Sequence, residues 1–226
     1  MSIDLASVTI PTPDSIHPPP PWLIFDFDGT LANTLSAIIK LINGHAQEYQ
    51  IKPLGDKDVE NLRGMSNLDI IRKYHIPVVK VPSLILRTQK ELHQKIDQVE
   101  LFPGIRELVL SLKRRMFRLG ILTSNSRENV QKLLRARDLD VFDFIHSESN
   151  FFGKTRALLH LLHKHGLAKD EVIYIGDEAR DIEACHHAGV AVIAVSWGFH
   201  RKDLLRAKNP TFLVDSPVEI ENIVTA

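Results

Sequence analysis

From Pro103 onward, short apolar runs alternate with helical patterns, and this alternation constrains the fold more than any other feature of the chain. Ile105, Leu108, Val109, Leu112 and Met116 recur at helical spacing, and Gly120-Ile121-Leu122-Thr123 follows as a strand. A second helix covers residues 130–134, ahead of a short strand near 142–146. Residues 157–162 read as helix, 171–175 as strand and 181–187 as helix. A further buried strand spans 190–195, and Phe212-Leu213-Val214 supplies a last edge strand. Strands separated by helices of this length build parallel βαβ units. Right-handed crossovers then give an α/β fold with a doubly wound, Rossmann-like parallel sheet.

One more strand precedes this region. Trp22-Leu23-Ile24-Phe25 is a short apolar run, and it leads into Asp26-Phe27-Asp28-Gly29-Thr30-Leu31. Residues i and i+2 of a strand share a face, so Asp26 and Asp28 are expected to point the same way. Two acids at the carboxyl end of a buried parallel strand sit where open α/β sheets bind ligands. Burying them is costly unless a cation or hydrogen-bond donors meet them. Capping of the next helix would explain one acid but poorly explains both.

Between these parts the pattern is helical. Leu35, Ile38, Ile39 and Ile42 fall at helical spacing, and further helical pieces cover 56–62, 67–74 and 83–99. Pro53, Pro77 and Pro82 read as breakers between them. The division expected is a proline-rich tail at 1–21, an α/β core from 22–34 and 100–226, and a helical insert at 35–99. The tail lacks the charged start and long apolar stretch of a secretory signal.

Composition narrows the function classes. The chain has 226 residues with 28 basic and 28 acidic side chains, so no net positive charge draws it to nucleic acid. Its one basic run, Lys113-Arg114-Arg115 with Arg118, lies on an expected amphipathic helix and reads as a solvated face. No segment approaches the ~20 apolar residues of a membrane span. The single cysteine, Cys185, excludes an internal disulfide and suits a reducing, cytoplasmic compartment. The oligomeric state is not encoded in any of these features.

Two other strand ends carry polar clusters. Ile121-Leu122 runs into Thr123-Ser124-Asn125-Ser126, which reads equally as a helix N-cap completed by Glu128 or as an anion site at a helix start. Ile173-Tyr174-Ile175 runs into Gly176-Asp177-Glu178-Ala179-Arg180-Asp181, a set of acids suited to a hard cation held by oxygens. Lys154, in Gly153-Lys154-Thr155, is by itself a surface lysine, but here it supplies positive charge to a site rich in acids.

Taken in order, Asp26-Phe27-Asp28-Gly29-Thr30, Thr123, Lys154 and Gly176-Asp177-Glu178-Ala179-Arg180-Asp181 resemble the four motifs of the haloacid dehalogenase superfamily. The resemblance is nearest to its phosphoglycolate phosphatase-like hydrolases, which carry a helical cap after the first motif. It implies that Asp26 is a nucleophile forming an aspartyl phosphate and that Asp28 is the general acid and then the base. It further implies a Mg²⁺ held by Asp26, Asp28 (through its backbone carbonyl), Asp177 and Asp181, with Glu178 as possible outer support. Thr123 and the backbone at Ser124 would bind phosphate oxygens, and Lys154 would neutralise charge. In the insert, Arg63 and Asn67 would touch the rest of the substrate, or else Gly64 simply ends a helix and Arg63 is solvated. Asn33 and Ser124 depart from residues common in the family, an acid and an asparagine.

The implied activity is Mg²⁺-dependent hydrolysis of a small phosphorylated metabolite, with phosphoglycolate the first candidate. The alternative is a phosphosugar mutase of the same superfamily. A non-catalytic scaffold is disfavoured by the intact acids, carbon–halogen cleavage needs neither Mg²⁺ nor Asp28, and nothing marks Lys52 or Lys57 for phosphonate chemistry. A small cap with few aromatics favours a small polar ester. Trp197-Gly198-Phe199 reads as packing and a turn, and the histidines are given no metal or catalytic role.

Overall fold

The computed structural model describes residues 20–65, 67–74, 76–148 and 153–226, so the proline-rich tail lies outside the described residues except for its last two. Six strands pair in parallel: β1 (Trp22–Phe25), β2 (Arg118–Thr123), β3 (Phe144–Ser147), β4 (Val172–Gly176), β5 (Ala191–Val195) and β6 (Phe212–Val214). Their order is β3-β2-β1-β4-β5-β6. The chain therefore reverses its direction of winding between β1 and β4, where the carboxyl ends of an open sheet leave a crevice.

Five helices follow β1: α1 (Leu35–Gly44), α2 (Ala46–Tyr49), α3 (Asp56–Leu62), α4 (Asn67–Lys73) and α5 (Val81–Lys95). Helix α5 begins two residues before the expected start, because Pro82 sits in its first turn. Proline is a breaker only where its missing N–H is needed, and the first turn needs none. Two antiparallel linkers carry the chain into and out of this segment. Asn33 N donates to Glu100 O at 2.9 Å and Phe102 N to Leu31 O at 3.0 Å. Asn33 is exposed there, on a linker and away from the acids.

Beyond the linkers come α6 (Ile105–Arg114), α7 (Arg127–Ala136), α8 (Lys154–His165), α9 (Ala179–Ala188), α10 (Lys202–Ala207) and α11 (Pro217–Thr225). The last two were not expected, since six and nine residues give little room for a helical period to show. The two-residue period of the strands divides the core. Leu23, Phe25, Leu119, Ile121, Ile175 and Ile193 face α6, α7 and α11. Ile24, Leu122, Tyr174, Val192 and Ala194 face α8, α9 and α10, where Cys185 is fully buried and its thiol is pushed up by desolvation. Both faces are covered, which is why these strands read as continuous apolar runs.

The basic run on α6 is spent on surface pairs: Lys113 with Asp143 at 3.0 Å and Arg115 with Glu221 at 3.3 Å. Arg118 lies over the Trp22 ring at 4.8 Å.

Gly120 marks the tightest point of the sheet. A Cβ there would lie 2.4 Å from Phe144 Cζ and 2.9 Å from Ile24 Cδ1. Gly120→Ala is expected to cost about 1–3 kcal/mol by overpacking, read as a lower urea midpoint at constant slope. An unchanged midpoint would contradict this register of β1, β2 and β3.

Candidate active site

The first acid pair leaves β1 as a turn rather than as strand. β1 ends at Phe25, Asp26 N still donates to Ile175 O at 2.8 Å, and Phe27 turns inward and is fully buried. Gly29 takes φ +77°, and a Cβ on it would fall 2.1 Å from Asp177 Oδ2. Only glycine lets the chain pass this close to the second acid cluster. The shared face expected for Asp26 and Asp28 is therefore not kept: once the chain turns, the two carboxylates meet different partners.

Asp26 is buried and faces the end of β4. Lys154 Nζ lies 3.0 Å from Asp26 Oδ2 and 3.0 Å from Asp181 Oδ1. Lys154 opens α8, Asp181 lies in the first turn of α9, and Asp181 Oδ2 accepts from Glu178 N at 3.1 Å. Asp177 is fully buried at the end of β4; it accepts from Thr30 Oγ1 at 2.8 Å and from Phe199 N at 2.6 Å. Carboxylate oxygens of Asp26, Asp177 and Asp181 all lie within 4.8 Å of one another.

Electrostatics follow from this crowding. Burial raises Asp26 to about 7, against the pull of Lys154 and with a further push from Asp181. Burial also lifts Asp177 well above the carboxylate range, and Glu178, Asp26 and Asp181 push it further. Lys154 loses solvent too, but Asp181 and Asp26 outweigh that loss and hold the ammonium above its usual range. Glu178 is penalised by burial, yet Arg180, 2.5 Å away, holds its carboxyl below the usual range. Among the described residues, the four carboxylates of Asp26, Asp177, Asp181 and Glu178 thus gather around the cations Lys154 and Arg180, with His200 also acting on Glu178. A hard divalent cation suits that surplus of buried oxygens.

Asp28 is half-buried and lies apart from the three-acid group. Asn125 Nδ2 donates to both its oxygens at 3.1 Å. Desolvation raises its carboxyl, while hydrogen bonds from Thr34 and Asn125 work the other way. Asn125 is the residue that sequence reasoning missed. It is 3% exposed, its Oδ1 accepts from Ser126 N and from Asn129 Nδ2, and both single-site readings of its stretch passed over it. The available signal was an amide placed between a strand end and a helix cap.

Thr123 ends β2, and its hydroxyl accepts from Asn125 N at 3.0 Å. Ser126 caps α7 by accepting from Asn129 N, with Glu128 one place short of the partner position. Ser124 lines the cleft next to Asp28, and its carbonyl accepts from Gln89 Nε2 of α5 at 2.5 Å. Arg63 is neither solvated nor turned to the cleft. Its guanidinium donates to Phe199 O and Gly198 O, each at 3.0 Å, and Arg201 N donates to Arg63 O at 2.8 Å. The Asn67 side chain lies outside the described residues. Trp197 Nε1 donates to Thr30 O at 3.1 Å, so this turn braces the first motif. At the end of β3, His146, Glu148 and His160, whose histidines the sequence reading gave no metal role, bring ligand atoms within 4.8 Å of one another, with the His146 ring against that of His160 on α8.

The model of the haloacid dehalogenase-like hydrolases matches residues 23–195, from β1 through β5. This chain belongs to that family. It is 34% identical over 204 residues to a phosphoglycolate phosphatase of Synechococcus elongatus, which covers 90% of this chain and 96% of the relative. It is 28% identical over 207 residues to a pyrophosphatase PpaX of Halalkalibacterium halodurans, covering 89% and 95%. Among solved structures, a predicted phosphatase from Clostridium acetobutylicum superposes with a TM-score of 0.78 at 21% identity over 92% of this chain and 99% of the other. A haloacid dehalogenase-like hydrolase from Streptococcus pneumoniae does so with 0.75 at 21% identity, over 90% and 97%. The protein is an enzyme of this hydrolase family, a phosphatase.

Asn125→Ala removes both amide bonds to Asp28 and leaves its carboxyl held by Thr34 without the amide. Turnover of any phosphoester the enzyme cleaves is expected to fall by about ten- to a hundredfold, with KM changed far less. A rise in KM with kcat intact would show that Asn125 acts in binding alone.

Proposed function

We propose that the enzyme hydrolyses small phosphomonoesters in a Mg²⁺-dependent reaction that passes through an aspartyl phosphate on Asp26. The observation that carries this reading is Lys154 Nζ held 3.0 Å from both Asp26 and Asp181, with Asp177 in the same group of oxygens. An anionic carboxylate attacking an anionic phosphate is repelled, and at ~4 Å the repulsion reaches several kcal/mol in a partly dry site. Lys154 is placed to offset it.

Asp26, Asp177 and the Asp28 carbonyl would hold Mg²⁺, with Asp181 supporting them. The ion supplies charge neutralisation and orientation at the phosphoryl oxygens. In the first half-reaction an Asp26 oxygen bonds to phosphorus as the bond to the ester oxygen breaks. The Asp28 carboxyl gives its proton to that leaving oxygen. In the second half the Asp28 carboxylate takes a proton from water as the water oxygen bonds to phosphorus. The acyl–phosphate bond breaks, inorganic phosphate leaves and Asp26 is restored. Thr123 and Ser124 receive the non-bridging oxygens, and Asn125 keeps Asp28 aimed at the ester oxygen.

The helical segment 35–99 serves as a cap over a core made of 22–34 and 100–226, and water exclusion by that cap favours the chemistry. The buried thiol of Cys185 accords with a cytoplasmic setting. Phosphoglycolate is the first ester to test, because it is named in the cyanobacterial relative.

Asp26→Asn keeps the shape of the side chain and removes the nucleophile. It is expected to fold and to lose more than about a thousandfold in phosphate release; substantial residual turnover in a folded variant rules out Asp26 as nucleophile. Chelation by EDTA is expected to abolish phosphate release and added Mg²⁺ to restore it. An enzyme indifferent to the chelator removes the metal from the reaction.

A further inference from the structure

A cavity of about 280 Å³ opens directly from the mouth of the acid cluster into the helical segment 35–99. At its mouth stand Asp28, Ser124, Glu178 and Arg180. Away from the mouth its wall turns aliphatic: Ile38, Ile39 and Ile42 of α1, Ile70 and Ile71 of α4, and Leu84 of α5. Helix α1 has no fully buried residue even though six of its ten are isoleucine, leucine or alanine. Ala37, Ile38 and Leu41 pack partly against the main core and Ile42 against the cluster of Ile51 and Leu84, while Ile38, Ile39 and Ile42 also border the cavity.

The wall offers little to a second negative charge. Its cationic residues among those described are Lys52 and Arg180. Lys52 stands at the rim, 75% exposed and 3.9 Å from Asp58, and Arg180 is held by Glu178 at 2.5 Å. Arg63, the cation expected to greet the substrate, is tied to the carbonyls of Gly198 and Phe199. A carboxylate placed among the isoleucines would be desolvated, and the polar groups that border this space besides those two cations and the acids at the mouth are neutral ones such as Thr88, Tyr74 and Gln89.

We propose that the phosphomonoester this enzyme prefers carries an aliphatic leaving group of about eight carbons, seated in the cavity with its ester oxygen beside Asp28. This rests on the reaction proposed above and adds its substrate class. The length follows from volume: an apolar cavity of about 150 Å³ accepts benzene, so 280 Å³ takes roughly ten carbons, less the room needed at the ester oxygen. Position follows from continuity, because the wall and the acid that protonates the leaving oxygen bound the same space.

Two measurements test it separately from the reaction. In the first, non-hydrolysable n-alkylphosphonates from methyl to dodecyl, kept below their micellar range, are titrated calorimetrically into the full chain with Mg²⁺. Affinity is expected to rise by about threefold per methylene up to about eight carbons and then to level or fall. A flat series overturns the proposal. Ile39→Trp is expected to move the break to shorter chains; an unmoved break also overturns it. In the second, kcat/KM for octyl phosphate is expected to exceed that for phosphoglycolate by at least about thirtyfold, and the reverse order overturns it. Chain-length-dependent binding with no phosphate released from any ester would uphold the cavity and sink the reaction.

Discussion

The structure depends on one ammonium group. Lys154 is the first residue of α8, where the helix dipole disfavours positive charge, and it is almost wholly buried. Two carboxylates at 3.0 Å offset both penalties, and neither alone would. Asp26 comes from the end of β1 and Asp181 from the first turn of α9, so the ammonium joins three chain segments that the sheet has already brought to one edge. A buried ion group of this kind adds little to stability compared with apolar packing. Its value lies in fixing where Asp26 points, which is the direction the proposed attack on phosphorus would require.

A second set of bonds joins the acid cluster to the helices above it. Phe199 N donates to Asp177, while Phe199 O and Gly198 O accept from Arg63. Ala179 N donates to His200 Nδ1, which places the same turn against the start of α9. The turn after β5 therefore reads the position of α3 on one side and sets Asp177 on the other. Arg63 is thereby fixed in a bracing position between the end of α3 and the turn after β5.

The fold was legible because strands buried on both faces are written as unbroken apolar runs, and the helices between them have a clear period. All six strands lie within two residues of their expected positions. The acids were legible for a related reason: Asp26 and Asp177 interrupt apolar runs at the points where a sheet must end. Asn125 and Arg63 were harder to read. Their partners, Asp28 and the carbonyls of residues 198 and 199, are 97 and more than 130 residues away, and no local pattern reports a bond of that range. Pro82 misled for a simpler cause, since a first-turn proline and a breaking proline look alike until the helix start is known.

The cavity depends on how the helical segment is fastened. Leu92, Ile96 and Val99 belong to the main core cluster with residues of α6 and α7, so the end of α5 is part of the body of the enzyme. Asn129 Nδ2 donates to Gln89 O and Gln89 donates to Ser124 O, which ties the middle of α5 to the turn after β2. The paired linkers at 31–33 and 100–102 fix the start of α1, and Arg63 fixes the end of α3. With these points held, the aliphatic row of α1 and the facing side of α5 keep a set distance from Asp28. On the substrate class proposed above, a wall held in that way would select by length: each added methylene gains apolar contact until the chain meets the far side, and beyond that point it must be expelled or bend.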